Sequence, residues 1–109
     1  MESKLADMKC TPSEKGEKPI QGAEADRLLQ QLDGWTVQDG KELSREYTFP
    51  DFRQALDFVN RLGEVAESEG HHPDIYLTWG KARVSLSTHS IGGLSKSDFI
   101  LAAKADAVR

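Results

Sequence analysis

Glu67-Ser68-Glu69-Gly70-His71-His72-Pro73-Asp74 is the stretch on which the reading of this chain turns. Upstream of it, Phe52, Ala55, Leu56, Val59, Leu62 and Ala66 keep a helical spacing, while Arg53, Asp57, Arg61, Glu64 and Glu67 fall on the opposite side. Downstream, Ile75, Leu77 and Trp79 alternate with Tyr76 and Thr78, the period of a strand. Gly70 suits the left-handed residue that ends a helix, and Pro73 cannot continue one. The stretch is therefore a handover from helix to strand, and it holds two of the chain's three histidines.

Working outward, Pro50 breaks the segment before the helix and Asp51 is placed to cap it. Leu43, Arg45, Tyr47 and Phe49 alternate with Ser44, Glu46 and Thr48, predicting a half-buried strand. Trp35-Thr36-Val37 reads as a shorter strand, joined to it through the tight-turn pair Asp39-Gly40. Ala25, Leu28, Leu29 and Leu32 fall at i, i+3, i+4 and i+7 and predict a first helix, closed by Asp33-Gly34.

On the other side, Gly80-Lys81 turns the chain. Ala82, Val84, Leu86 and Thr88 alternate with Arg83, Ser85 and Ser87 in a fourth strand. After the glycine-bearing loop 89–94, Ser95 opens a last helix, with Asp98 in the capping-box position and Leu94 and Phe99 spaced as a hydrophobic staple. The whole predicts an α+β domain in the order α-β-β-α-β-β-α. Three helices would cover one face of a four-stranded antiparallel sheet. Residues 1–20, with four lysines, four acidic residues, Pro12, Gly16 and Pro19, read as a tail or extended arm, where any order would have to come from contacts with the domain formed by residues 21–109.

Composition narrows the partners. In 109 residues, 38% are hydrophobic and 29% charged, a soluble globular mix for one modest core. The net charge of -4 argues against direct nucleic-acid binding, which is driven by basic surface. No apolar run approaches the roughly 20 residues of a membrane helix, and the N-terminus lacks the apolar core of a signal peptide. The single cysteine, Cys10, allows no internal disulfide, and a cytoplasmic location is expected.

Chemistry falls to the histidines. Imidazole titrates near neutrality, with a pKa of about 6.5, so one ring can accept a proton while another donates. His89 follows His72 by seventeen residues, across the second hairpin. A hairpin that folds back brings His71, His72 and His89 toward one cleft. Successive residues in extended chain point to opposite sides, so the tandem pair needs a bend, which Gly70 and Pro73 permit. The same residues also fit an exposed helix end, where a protonated imidazole favours the dipole.

Ser87, Thr88 and Ser90 offer hydroxyls to a heterocycle, and Asp98 is placed either to orient a histidine or only to cap its helix. Glu67 precedes His71 by four residues and would face it on a continuous helix. Trp35 and Trp79 belong to the core or an interface, or give a ring a flat wall. A metal site is not expected. Tandem His-His lacks the i, i+4 spacing of a His-Glu-x-x-His helix, and Cys10 is remote in sequence. Neither a glycine-rich phosphate loop nor a Gly-x-Ser-x-Gly elbow is present.

The combination of Glu67, His71-His72-Pro73, Ser87-Thr88-His89, Gly93-Leu94-Ser95 and Asp98 resembles the signature of the pterin-4a-carbinolamine dehydratases. The likeness extends through Gly34-Trp35, the Phe49-Pro50-Asp51-Phe52 corner and Ala55–Val59, over roughly residues 20–105. Some members begin with a Cys-x-Pro-Cys arm, of which Cys10-Thr11-Pro12-Ser13 keeps the first cysteine alone.

The resemblance implies dehydration of 4a-hydroxytetrahydropterin, the carbinolamine released by aromatic amino-acid hydroxylases, to quinonoid dihydropterin and water. It implies no metal and no organic cofactor. His71, His72 and His89 would supply the acid and base, with Glu67, Pro73, Ser87, Thr88, Ser90, Asp98 and Trp35 around the pterin. A homodimer or homotetramer is expected, with no membrane partner. Two alternatives come with the family: a protein-binding dimerisation module, as in animal members that bind a homeodomain transcription factor, and a molybdopterin-related role.

Overall fold

The computed structural model describes residues 4–14 and 16–109. Residues 1–3 and Lys15 of the expected arm lie outside the described residues. The elements run α1 (Gly22–Leu29), β1 (Thr36–Gln38), β2 (Glu42–Thr48), α2 (Phe52–Glu69), β3 (Asp74–Thr78), β4 (Lys81–Leu86) and α3 (Lys96–Val108), the order read from the sequence. All pairings are antiparallel, and the strands lie in the order β1-β2-β4-β3.

The two-residue period decides which face is covered. Leu43 and Tyr47 of β2 pair with Leu86 and Ala82 of β4, and all four are buried. Val84, also buried, stands opposite Arg45 on one side and Ile75 of β3 on the other. The alternate residues Glu46, Lys81 and Arg83 face solvent. α2 and α3 pack on the apolar face, bringing Ala55, Phe58, Leu62 and Ala66 from one helix and Phe99, Leu101, Ala102 and Ala105 from the other. α1 adds Ala25, with Leu28 and Leu29 half-buried against the same core.

Aromatic rings fill the centre. Tyr47 and Phe58 lie 4.5 Å apart between centroids, Phe49 and Phe58 5.4 Å, and Trp35 meets Tyr47 edge-on at 6.3 Å. Asp106 of α3 ties this cluster to the sheet, accepting from the Trp35 indole N–H at 3.1 Å, from Arg45 at 2.7 Å and from the Tyr47 hydroxyl.

Several strand ends shift by one or two residues, so that Trp79 and Thr88 fall just outside β3 and β4, and the first helix differs most from the expectation. The first helix stops at Leu29, before Leu32. Its last turn tightens instead: Gln31 N–H donates to Leu28 O at 3.1 Å and Leu32 N–H to Leu29 O at 3.0 Å. Such i to i−3 bonds satisfy the orphan carbonyls of a helix end, and they leave Leu32 against the core. Gly34 then takes φ +80°, where an added Cβ would lie 3.0 Å from the Arg45 guanidinium carbon.

Candidate active site

The site begins with the way α2 ends. Gly70 is left-handed at φ +65°, its N–H donates to Glu67 O at 3.3 Å, and His71 N–H reaches back to Ala66 O at 3.3 Å. These two bonds form a Schellman motif with His71 as its second residue past the helix. The glycine reverses the chain, and the motif fixes the direction in which His71 leaves. Pro73 prevents further helix, and β3 starts at Asp74.

The second side of the site leaves the sheet at the same end of the hairpin. Asp74 pairs with Ser85, so residues 71–73 and 86–88 depart together. Thr88 is held by a bridge to Gly93, with Thr88 N–H donating to Gly93 O at 2.7 Å. Between them His89–Ile91 make a single 3₁₀ turn closed by Gly92. Leu94 follows, and Ser95 caps α3.

Asp98 joins the two sides. It is fully buried, at 0% exposure. Its Oδ2 accepts from Ser95 N–H at 2.8 Å and from the Thr88 hydroxyl at 2.8 Å, while Oδ1 lies 2.6 Å from His71 Nε2. Thr88 and Ser95 hydroxyls are 2.9 Å apart. The capping box is complete, and the same carboxylate also orients the imidazole, so both roles weighed for Asp98 are present. A carboxylate only accepts, which puts the proton of neutral His71 on Nε2 and leaves Nδ1 free to take another.

The remaining residues sort by distance from this junction. His72 turns outward, with Nε2 3.6 Å from Glu67 Oε2 and both side chains well exposed. The facing of Glu67 and His71 expected of a continuous helix is thus replaced by an approach of Glu67 to His72, because the helix ends at Glu69 and Gly70 swings the chain round. His89 and Ser90 are exposed, and Pro73 and Ser87 are half-buried.

His89 lines an open groove of about 400 Å³ with Ser87, Thr88, Gln38, Asp39 and Lys41, whose lining does not include His71 or His72. Trp35 stands apart. It is bonded to Asp106, eight residues beyond Asp98 and so about 12 Å along α3.

Two contributions escaped the sequence reading. Ser95 was legible as a cap, but its hydroxyl contact to Thr88 depends on the bridge at Gly93. Gln38, Asp39 and Lys41 reach the groove because β2 pairs with β4 in a register that sets Leu43 against Leu86, a long-range fact with no local signal. Among the described residues, no group of three or more His, Cys, Asp or Glu side chains is arranged to hold a metal ion.

Comparison with known proteins follows the same lines. The sequence model of the family described as "Pterin 4 alpha carbinolamine dehydratase" matches residues 18–108. A protein of Rubrobacter xylanophilus named "Putative pterin-4-alpha-carbinolamine dehydratase" is 51% identical over 104 residues, covering 95% of this chain and 97% of the relative. One of the same name from Alkaliphilus metalliredigens is 47% identical over 103 residues, covering 94% and 93%.

Among solved structures, a "transcriptional coactivator/pterin dehydratase" from Brucella melitensis matches with a TM-score of 0.79 and 32% identity, over 84% of this chain and 98% of its own. A pterin dehydratase-like RuBisCO assembly factor of the alpha-carboxysome matches with a TM-score of 0.60 at 20% identity, over 70% and 89%, and shares the fold.

Proposed function

Because the chain belongs to the pterin 4 alpha carbinolamine dehydratase family, we propose that it dehydrates a 4a-hydroxytetrahydropterin to quinonoid dihydropterin by histidine general acid–base catalysis. An imidazolium protonates the 4a-hydroxyl, the C4a–O bond breaks and water leaves. A neutral imidazole takes the N5 proton, and the N5 electron pair closes the C4a=N5 double bond. His71, His72 and His89 share these roles, with Glu67, Pro73, Ser87, Thr88 and Ser90 around the ring. Trp35 serves the core in this assignment.

The observation that carries the reading is the 2.6 Å contact of His71 Nε2 with the fully buried Asp98. A buried carboxylate orients an imidazole and fixes its tautomer, as directed proton transfer requires. The substrate is a free pterin, and the recycling of a tetrahydropterin cofactor is the setting in which such a carbinolamine arises. A cytoplasmic, homo-oligomeric enzyme is part of this proposal; no helix of the described residues is long and apolar enough to cross a membrane.

A stopped-flow assay on chemically generated 4a-hydroxytetrahydropterin tests the proposal. His71→Ala and His89→Ala should each lose about 10²–10⁴-fold in turnover while keeping the parent circular dichroism. Parent-like turnover in both variants would overturn the assignment. A protein-binding role is the second reading. It draws on the description of the Brucella relative as a transcriptional coactivator and on Tyr76 and Trp79, which stand 66% and 70% exposed. It gains ground if the parent binds a partner and shows no pterin turnover.

A further inference from the structure

The N-terminal arm reaches the site from behind. Cys10 N–H donates to Glu69 Oε1 at 2.7 Å. Thr11 N–H donates to Ser97 Oγ at 2.9 Å, and that hydroxyl donates back to Thr11 O at 2.9 Å. Glu69 is the last residue of α2, two before His71, and Ser97 immediately precedes Asp98. Two consecutive arm residues thus grip, one each, the two helix ends whose side chains form the His71–Asp98 pair.

The grip is continued on both sides. Lys104 Nζ donates to Ala6 O at 2.8 Å and lies 3.8 Å from Glu69 Oε2. Farther along the arm, Ile20 N–H donates to Leu94 O at 2.7 Å, just before the Ser95 cap. Pro19 sits so close to Gly93 that a Cβ there would meet it at 2.8 Å. The carboxyl of Glu69 is held below its usual pKa by the Cys10 N–H and, next among the favourable influences, by Lys104, so it accepts as an anion.

We propose that Glu69 and Ser97 are positioning residues, through which Cys10 and Thr11 of the arm set the distance between His71 and Asp98. The inference rests on the dehydratase reading for its effect on turnover, though not for its effect on the pair itself. A displacement of about 1 Å is enough to cost up to roughly 10²-fold in rate when proton transfer must be aligned. The arm's bonds therefore control the pair without any contact to substrate.

The test uses the full chain carrying Glu69→Ala, Ser97→Ala, both together, and Glu69→Gln, whose side-chain oxygen still accepts from Cys10. We expect kcat to fall about 10-fold in each alanine variant, with KM within about 2-fold of the parent, and Glu69→Gln to return close to parent. The proton resonance of the His71 ring N–H, assigned by its loss in Asp98→Asn, should be sharp in the parent and in Glu69→Gln. It should broaden in the alanine variants.

An unchanged kcat and an unchanged resonance in the double variant overturn the proposal, as does a fall in kcat with the resonance unmoved. Ser97→Ala alone serves if Glu69→Ala does not fold. A parent without turnover sinks the dehydratase reading, while the resonance still reports whether the arm positions the pair.

Discussion

Asp98 and Cys10 show what a single side chain decides here. Asp98 accepts from three neighbours with two oxygens. Asp98→Asn would keep an acceptor for Ser95 but present an amide N–H to His71 Nε2, forcing the imidazole proton to the other nitrogen. We expect at least about 10²-fold loss of turnover, and about 1.5–3 kcal/mol of stability lost by urea titration, the usual value of hydrogen bonds to a charged group. Burial pushes the Cys10 thiol up to about 11, helped by the nearby Glu69 charge, and Sγ lies 3.6 Å from Ser97 O. Labelling by a thiol-reactive disulfide at pH 8 should therefore run about 100-fold slower than in urea-unfolded protein, from the smaller thiolate fraction alone. At this scale the sequence was partly readable. The Ser95–Asp98 spacing announced a cap, yet whether that carboxylate also met an imidazole depended on a contact across 27 residues.

Helix α2 is the element that aims the site. Asp51 caps it, accepting from Gln54 N–H at 2.9 Å, and Gly70 ends it. Asp51→Ala should cost about 1 kcal/mol in urea unfolding and leave kcat unchanged, because the cap lies at the far end from His71. Gly70→Ala differs. No atom lies within 4 Å of the added Cβ, so its cost is the left-handed backbone alone, about 1–2 kcal/mol. Because that backbone directs His71, we expect turnover to fall as well, measured in the same stopped-flow assay. The extent of α2 was legible because its apolar stripe, its cap and its glycine agree. The end of α1 was less so. Leu32 continues the stripe although the backbone has already tightened, and side-chain periodicity does not report the backbone bond pattern.

Across the whole molecule, strand order and the arm's route were the least visible features. Local pattern predicted two hairpins, but only the β2–β4 pairing sets them side by side and brings the β1–β2 turn to His89. The arm, read as lacking a regular period, buries Leu5 in the core and binds both helix ends. Its attachment is expected to depend on pH. The depressed Glu69 pKa stabilises the fold fully above the ordinary carboxylate value of about 4.3, and that contribution is lost as pH falls through the lower folded value. The raised Cys10 pKa acts at the other limit. Its contribution is complete below about 9.0 and is lost as pH rises toward about 11. Urea midpoints across pH 3–10.5 should show both limbs, and Glu69→Gln should flatten the acid one. Tyr76 of β3 and Trp79 of the β3–β4 turn are exposed aromatics, and light scattering on Trp79→Asp tests whether self-association uses Trp79.

The dual duty of Asp98 has a consequence for how this chain tolerates change. The carboxylate that starts the last helix also steadies an imidazole, so substitution there would disturb heat tolerance and proton chemistry together. A laboratory selection for either property would find that position closed and would have to work elsewhere. The Asp51 end of α2 offers such room, since what happens there reaches the unfolding equilibrium without reaching the ring.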